Sequence, residues 1–262
     1  MIDRDRLHSI VTEAGRIAHD LWPGAGHAVK TWEKTPGSPV CDADLAVDAF
    51  LKRELAALLP AAGWLSEETV DDAGRLERDF IWLVDPIDGT RDFIRGRTGW
   101  AVSVALISGG RPLFGLLHAP ARGEVWLAEA GRGATRNGVS LAASTRERLA
   151  GARVPADSLP KVDRDLTMVD KPNSIALRVA MVGADEADLV ATLRWGFEWD
   201  VAAAALIARE AGAAVTDAFG ETLRYNKRDP RAFGLIACAP AIHPAAVERL
   251  ADRAAQLSSA AS

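Results

Sequence analysis

Cysteine is almost missing from this chain, with two in 262 residues. Cys41 and Cys238 stand far apart and form no Cys-x-x-Cys pair, so no disulfide framework is expected. Both sit among apolar residues and read as free, buried thiols of a reducing compartment. The five histidines, His8, His19, His27, His118 and His243, show no ligand spacing, which speaks against a histidine-bound zinc. Ser103 lies in an apolar stretch without a paired histidine, so nucleophilic serine chemistry is not expected. No apolar run approaches membrane-spanning length, and Met1-Ile2-Asp3-Arg4-Asp5-Arg6 lacks the apolar core of a signal peptide. Positive charge is not in excess either: 31 Lys+Arg face 36 Asp+Glu, for a net charge of -5. A polybasic nucleic-acid surface is absent. These absences predict a soluble cytoplasmic protein with neither membrane nor nucleic acid as partner.

What is present is enough for a large core. Hydrophobic residues are 48% and charged residues 26% of a length that suits one large domain or two small ones. Apolar positions at steps of three and four predict a helix over 4–21, stopped by Trp22-Pro23-Gly24, and another over 42–59. Between them Lys34-Thr35-Pro36-Gly37-Ser38-Pro39 reads as a loop. Short strands are expected at Trp64-Leu65, 80–84, 100–107, 112–118 and 124–128, with turns at Gly109-Gly110 and Asn137-Gly138. The pattern weakens from 141 to 171, and a soft boundary near Ala150 divides the chain into 1–150 and 151–262. Beyond it, strands are expected at 176–182, 187–191, Val215 and 235–238, and helices at 199–211 and 244–257. The fold class is α+β.

The most informative stretch is Trp82-Leu83-Val84-Asp85-Pro86-Ile87-Asp88-Gly89-Thr90. An apolar strand ends in two carboxylates, a glycine and a hydroxyl. Pro86 fixes φ between the acids, and Ile87 is free to offer its carbonyl. Such a set presents several oxygens to a hard divalent cation such as Mg²⁺. Gly89 and Thr90 then open a turn whose free N–H groups suit a phosphate. A plain acidic turn after a buried strand is the competing reading. Glu67 after one strand, Asp85 and Asp88 after another, and Asp200 at a helix start form a set able to clamp two Mg²⁺ ions for phosphoryl displacement. Glu68 and Asp92 read as solvent-facing or supporting acids. Asp44, in a first helical turn, is from its position alone better explained by the helix dipole.

Four segments carry a resemblance: Ser38-Pro39-Val40 with Asp42-Ala43-Asp44, Leu65-Ser66-Glu67-Glu68, Trp82 to Thr90, and Glu198-Trp199-Asp200-Val201-Ala202-Ala203. In order and spacing they resemble the inositol monophosphatase superfamily of Mg²⁺-dependent, lithium-sensitive phosphomonoesterases. The resemblance implies a layered αβαβα sandwich. It implies one Mg²⁺ on Glu67, Asp85 and the Ile87 carbonyl, a second on Asp85, Asp88 and Asp200, and a weaker third near Glu67. It makes Asp44 and Thr90 the pair that activates water, with Glu67 counted in the catalytic set, and Gly89 and Thr90 the backbone donors to phosphate. The family is often dimeric, so a homodimer is an allowed assembly beside a small phosphorylated substrate. Two departures stand out: Cys41 replaces the usual Thr, and Pro36 replaces an acid that would support the third ion.

Substrate is a separate question. Inositol phosphatases place a Glu seven residues before the Asp of Trp-Asp, and an ungapped count puts Leu193 there. Leucine accepts no hydrogen bond from a ring hydroxyl. Other segments resemble the CysQ-type 3'(2'),5'-bisphosphate nucleotidases, including Asp88-Gly89-Thr90-Arg91-Asp92-Phe93 and Leu223-Arg224-Tyr225-Asn226-Lys227. Arg178, Arg194, Arg224 and Lys227 are candidate cations for a second phosphate, Ser174 a substrate-loop residue, and Trp195 and Tyr225 candidate adenine stackers. The leading expectation is hydrolysis of 3'-phosphoadenosine 5'-phosphate. The alternatives are inositol monophosphate or histidinol phosphate as substrate, and a regulatory protein that binds RNA or transcription components.

Overall fold

The computed structural model describes residues 2–35 and 37–259. The chain opens with α1 (Arg4–Asp20), the hairpin β1 (Thr31–Thr35) and β2 (Ser38–Cys41), and α2 (Asp42–Leu58). Then come β3 (Gly63–Ser66), β4 (Phe80–Asp88), the short α3 (Thr90–Ile94), β5 (Ala101–Ser108), β6 (Arg111–Ala119), β7 (Glu124–Glu129), β8 (Ala134–Arg136) and β9 (Val139–Ser140). The remainder is β10 (Arg153–Pro155), β11 (Thr167–Val169), α4 (Ile175–Gly183), β12 (Leu189–Phe197), α5 (Glu198–Glu210), β13 (Ala214–Thr216), β14 (Arg231–Cys238) and α6 (His243–Ser259).

Strands β3 to β9 lie in sequence order in one seven-stranded sheet, antiparallel except for the β3–β4 pair. Its central strands β4, β5 and β6 are buried on both faces, so they read as continuous apolar runs. The two-residue side-chain period sorts them. Trp82, Val84, Val102, Val104 and Leu116 meet α1 and α2, while Leu83, Ala101, Ala105 and Leu117 join the core built around α4 and α5. A three-stranded sheet, β12-β14-β13, covers the other side of α4 and α5, and α6 closes its far face. The layers therefore run αβαβα, as the resemblance implied.

Helix α5 explains the alanine run. It sits between two sheets and must be apolar nearly all round. Gly115 of β6 lies so close that a Cβ there would stand 2.6 Å from the Ala203 carbonyl oxygen. Helix α4 is the main correction, because its 176–182 core was expected as a strand. A short apolar run between buried layers has the same pattern in either conformation. Here the Ser174 hydroxyl accepts the Leu177 N–H at 2.9 Å and starts a helix. The 34–39 segment, expected as a loop, is largely strand on both sides of a hairpin tip. The Pro36 departure lies outside the described residues. No described helix is long and apolar enough to cross a membrane. Cys41 and Cys238 are free and buried, and burial pushes the Cys238 thiol up to about 12.

The segment from 141 to 171 is tied to the second sheet by Asp188. Its carboxylate accepts from the Arg153 backbone N–H at 2.8 Å, from Nε at 3.0 Å and from Nη2 at 2.7 Å. Burial alone would raise the Asp188 pKa, but the Arg153 bonds outweigh it and hold it at about 2. The folded value lies below the ordinary carboxylate range. The resulting stability, about 1–2 kcal/mol, is present above pH 4 and is lost as pH falls towards 2. Asp188→Asn should therefore destabilise the protein by about that amount at pH 7 in urea titrations. The gap between variant and wild type should narrow as pH falls from 4 towards 2. A gap independent of pH would contradict this assignment.

Candidate active site

The site begins with an irregularity in β4. Asp85 pairs with Ser103 of β5 and Asp88 with Ala101, so three steps on one strand oppose two on the other. In a regular strand, residues three apart face opposite ways. The extra residue puts Asp85 and Asp88 on the same side. Both are buried, and the Asp85 Oδ1 accepts the Ile87 N–H at 3.1 Å. Gly89 follows at φ +98°, where a Cβ would stand 2.6 Å from the Gly99 carbonyl oxygen and 2.9 Å from the Ser174 nitrogen. Only glycine fits between these backbones.

The other acids arrive at helix starts. Asp44 is the third residue of α2, and its Oδ2 accepts the Cys41 N–H at 2.8 Å, with the Cys41 Sγ at 2.9 Å. Asp200 is the third residue of α5, and its Oδ2 accepts the Phe197 N–H at 2.8 Å. Asp88 faces the start of α4: the Ser174 hydroxyl donates to it at 2.5 Å and the Ala176 N–H at 2.7 Å. Each carboxylate thus meets the positive end of a helix. Together with Glu67, Ile87, Gly89, Thr90 and Arg194, Asp85, Asp88 and Asp200 line one cleft of about 210 Å³. Asp44 reaches it through Thr90, whose Oγ1 stands 3.5 Å from Asp44 Oδ1 and donates to the Ile87 carbonyl at 3.0 Å.

The electrostatics are unbalanced. Burial, followed by the charges of Glu67, Asp88 and Asp200, pushes Asp85 well above the ordinary carboxylate range. Burial likewise raises Asp88, against the opposing bonds from Ser174 and Ala176. Asp44 and Asp200 are pushed up to about 7, chiefly by burial. Among the described residues no lysine or arginine lies within ion-pair distance of Asp44, Asp85, Asp88 or Asp200. Hard oxygen donors with unneutralised charge fit a hard divalent cation. Among the described residues no three of these side chains converge closely enough to hold an ion as they stand, and each of Asp85, Asp88 and Asp200 accepts from N–H or O–H donors of the chain.

Several expected residues sit elsewhere. Ser174 is fully buried, so its hydroxyl supports Asp88 and caps α4 rather than facing the cleft. Arg178 is half-buried behind it, with Nε on the Ser174 carbonyl and Nη2 on the Asn173 carbonyl. Tyr225 is buried in the core and presents no face for stacking. Trp195 lies against Phe233 and under the Arg231 guanidinium. The Lys227 ammonium stands 3.8 Å from Glu198, and Arg224 is exposed; neither lines the cleft. Glu68 and Asp92 are not solvent-facing: Lys34 Nζ covers Glu68 at 2.6 Å and reaches Glu67 at 3.0 Å, and Asp92 accepts the Asn173 N–H at 3.1 Å. Lys34 was not anticipated, since 33 residues separate it from Glu67 and only the β1–β2 hairpin brings them together.

Leu193 needs a second correction. Strand β12 carries one extra residue between Thr192 and Trp195, opposite the Leu235 to Phe233 step of β14. The ungapped count to Asp200 ran through it. Leu193 turns away and packs against the cluster of Leu149, Val154 and Leu250, while Arg194 borders the cleft beside Asp200. The wall position is cationic, not apolar.

Comparison with known proteins agrees with this geometry. The model of the inositol monophosphatase family matches residues 5–258. The chain is 30% identical over 226 residues to the fructose-1,6-bisphosphatase/inositol-1-monophosphatase of Thermotoga maritima, covering 83% of this chain and 86% of that protein. It is 35% identical over 222 residues to the 3'-phosphoadenosine 5'-phosphate phosphatase of Mycobacterium bovis, covering 80% of each. The solved structure of a Thermotoga maritima IMPase superposes with a TM-score of 0.83 at 26% identity, over 97% of this chain and 98% of that one. With acids at the strand and helix ends that the family motifs occupy, and a match along nearly its whole length, this chain belongs to the inositol monophosphatase family.

Proposed function

We propose that this inositol monophosphatase-family phosphatase removes the 3'-phosphate of 3'-phosphoadenosine 5'-phosphate, giving AMP and phosphate. The observation that carries the choice of substrate is Arg194. It borders the acid cleft beside Asp200, whose carboxylate its charge favours, and no described side chain stands within hydrogen-bond or ion-pair distance of its guanidinium. A guanidinium gives a phosphate two parallel charge-assisted hydrogen bonds, whereas a neutral ring hydroxyl can take only a single, weaker one from it. A substrate with a second phosphate gives it a partner. The 35% identity to the mycobacterial phosphatase supports the same choice.

In this reading Glu67, Asp85, Asp88, Asp200 and the Ile87 carbonyl hold two Mg²⁺ ions, with a weaker third near Glu67. When bound, Mg²⁺ supplies Lewis-acid stabilisation of the phosphoryl charge and acidifies water. The chain's own contribution is positional. Asp44 is fixed by the Cys41 N–H through one oxygen and keeps the other towards Thr90. When the Thr90 hydroxyl donates to Asp44 instead of Ile87, its lone pairs face the cleft and accept from water, orienting it towards phosphorus. Asp44, pushed up chiefly by burial, is the carboxylate placed to take the water's proton through Thr90. Water oxygen joins phosphorus as its proton passes through Thr90 to Asp44, the P–O3' bond breaks, and the departing ribose oxygen takes a proton from solvent while Asp44 returns the one it gained to solvent. Gly89 and Thr90 present backbone N–H groups to the phosphate. Arg178 is held too far behind Ser174 to act first, and its part is to support the charge near Asp88.

A panel of the nucleoside bisphosphate, inositol 1-phosphate, fructose 1,6-bisphosphate and histidinol phosphate, with and without Mg²⁺, tests the reading. The bisphosphate nucleotide should have the highest kcat/KM, and chelation should abolish turnover of every ester. A preference for inositol 1-phosphate would contradict the substrate. Arg194→Ala should lower kcat/KM for the bisphosphate by about tenfold to a hundredfold, in line with about 1.5–3 kcal/mol for a charged hydrogen bond. The same variant should leave 3'-AMP within about threefold, because that ester carries no second phosphate. Thr90→Ala should lower kcat by about 10²-fold or more with little change in KM. Equal kcat for variant and wild type would remove Thr90 from the mechanism.

A further inference from the structure

The first turn of α5 carries Asp200, yet its N-cap is Phe197, which has no side-chain acceptor. Asp200 accepts the Phe197 N–H at 2.8 Å, and a second residue ties the turn down from outside the helix. Glu198, the first residue of α5, is buried, and its carboxylate accepts the N–H groups of Asn226 at 2.5 Å and Lys227 at 3.1 Å. The Glu198 N–H donates to the Pro230 carbonyl at 3.0 Å. Three hydrogen bonds therefore join the start of α5 to the segment 226–230.

That segment is itself held from the other half of the chain. Arg75 is buried, and its guanidinium donates to the Asn226 side-chain oxygen at 2.5 Å and to the Lys227 carbonyl at 2.9 Å. Its remaining bonds go to Asp71, at 2.7 and 2.9 Å. Asn226 sits at φ +60°, a conformation asparagine tolerates better than most residues. The Tyr225 N–H adds a bond to the Gly110 carbonyl at the β5–β6 turn. A planar guanidinium fixes direction as well as charge, and burying one is seldom justified by stability alone.

We propose that Arg75 and Asn226 are positioning residues that act through Glu198 to set the first turn of α5, and so aim the Asp200 carboxylate at Asp85 and Asp88. The proposal rests on the reading of Asp200 as a ligand of a divalent cation. Its consequence is that metal affinity is tuned from a loop that does not touch the cleft.

Isothermal titration of the full chain with Mn²⁺, beside thermal melts, tests it. Asn226→Gly keeps the left-handed backbone and removes only the acceptor for Arg75. It should weaken Mn²⁺ binding about tenfold. Asn226→Asp keeps both backbone tolerance and acceptor, and should bind Mn²⁺ as wild type does. Arg75→Lys, which keeps the charge and loses the fork, should follow Asn226→Gly. Asp188→Asn serves as a control that lowers Tm and leaves Mn²⁺ affinity unchanged. Wild-type affinity in both Asn226→Gly and Arg75→Lys would overturn the proposal, as would an equal loss of affinity in Asp188→Asn. If the wild-type protein bound no Mn²⁺ at all, the reading of Asp200 would fall, and the proposal with it.

Discussion

Asp44, Asp85, Asp88 and Asp200 are folded into one region without a basic side chain within ion-pair distance among the described residues. Like charges at such depth repel one another and lose the solvation of water. This repulsion is the constraint around which the molecule is built. Burial and neighbouring charge raise these carboxylates; among the described residues the relief comes from hydrogen bonds and from the more distant charges of Arg178 on Asp88 and Arg194 on Asp200. A divalent cation relieves it far more completely. The fold thus stores an unfavourable arrangement that a bound ion makes favourable.

The scaffold tolerates the arrangement through backbone donors. Helices α2, α4 and α5 all begin at the site, and each start gives N–H groups to one acid: Cys41 to Asp44, Ile175 and Ala176 to Asp88, Phe197 to Asp200. The sandwich makes this convergence possible. Two helices lie on one face of the large sheet and two on the other, and the bulge in β4 turns Asp85 and Asp88 towards the same end. Core packing and site chemistry share residues throughout. Gly115 admits the alanine face of α5 against the sheet, and α5 carries Asp200.

Much of this was legible in the chain. The acids at Glu67, Asp85, Asp88 and Asp200 stand where apolar periodicity stops, and helix α1, helix α2 and most strands follow their periods. What stayed hidden has physical causes. Helix α4 is apolar all round except at Arg178 because layers enclose it, so its period vanished. The extra residue in β12 could not be seen without β14 beside it; there Leu193 packs on the cluster of Leu149, Val154 and Leu250 while Arg194 borders the cleft. Ser174 read as a substrate-loop residue, whereas its small hydroxyl is what fits between a helix start and Asp88. Lys34 and Arg75 act across 33 and 151 residues, distances over which no local pattern carries information.

The account depends on the acids of β3, β4 and α5 gathering round divalent cations. Anomalous diffraction from crystals equilibrated with Mn²⁺ tests this most directly. Two strong peaks are predicted, one bounded by Glu67, Asp85 and the Ile87 carbonyl and the other by Asp85, Asp88 and Asp200. A map with no peak among those oxygens would contradict it.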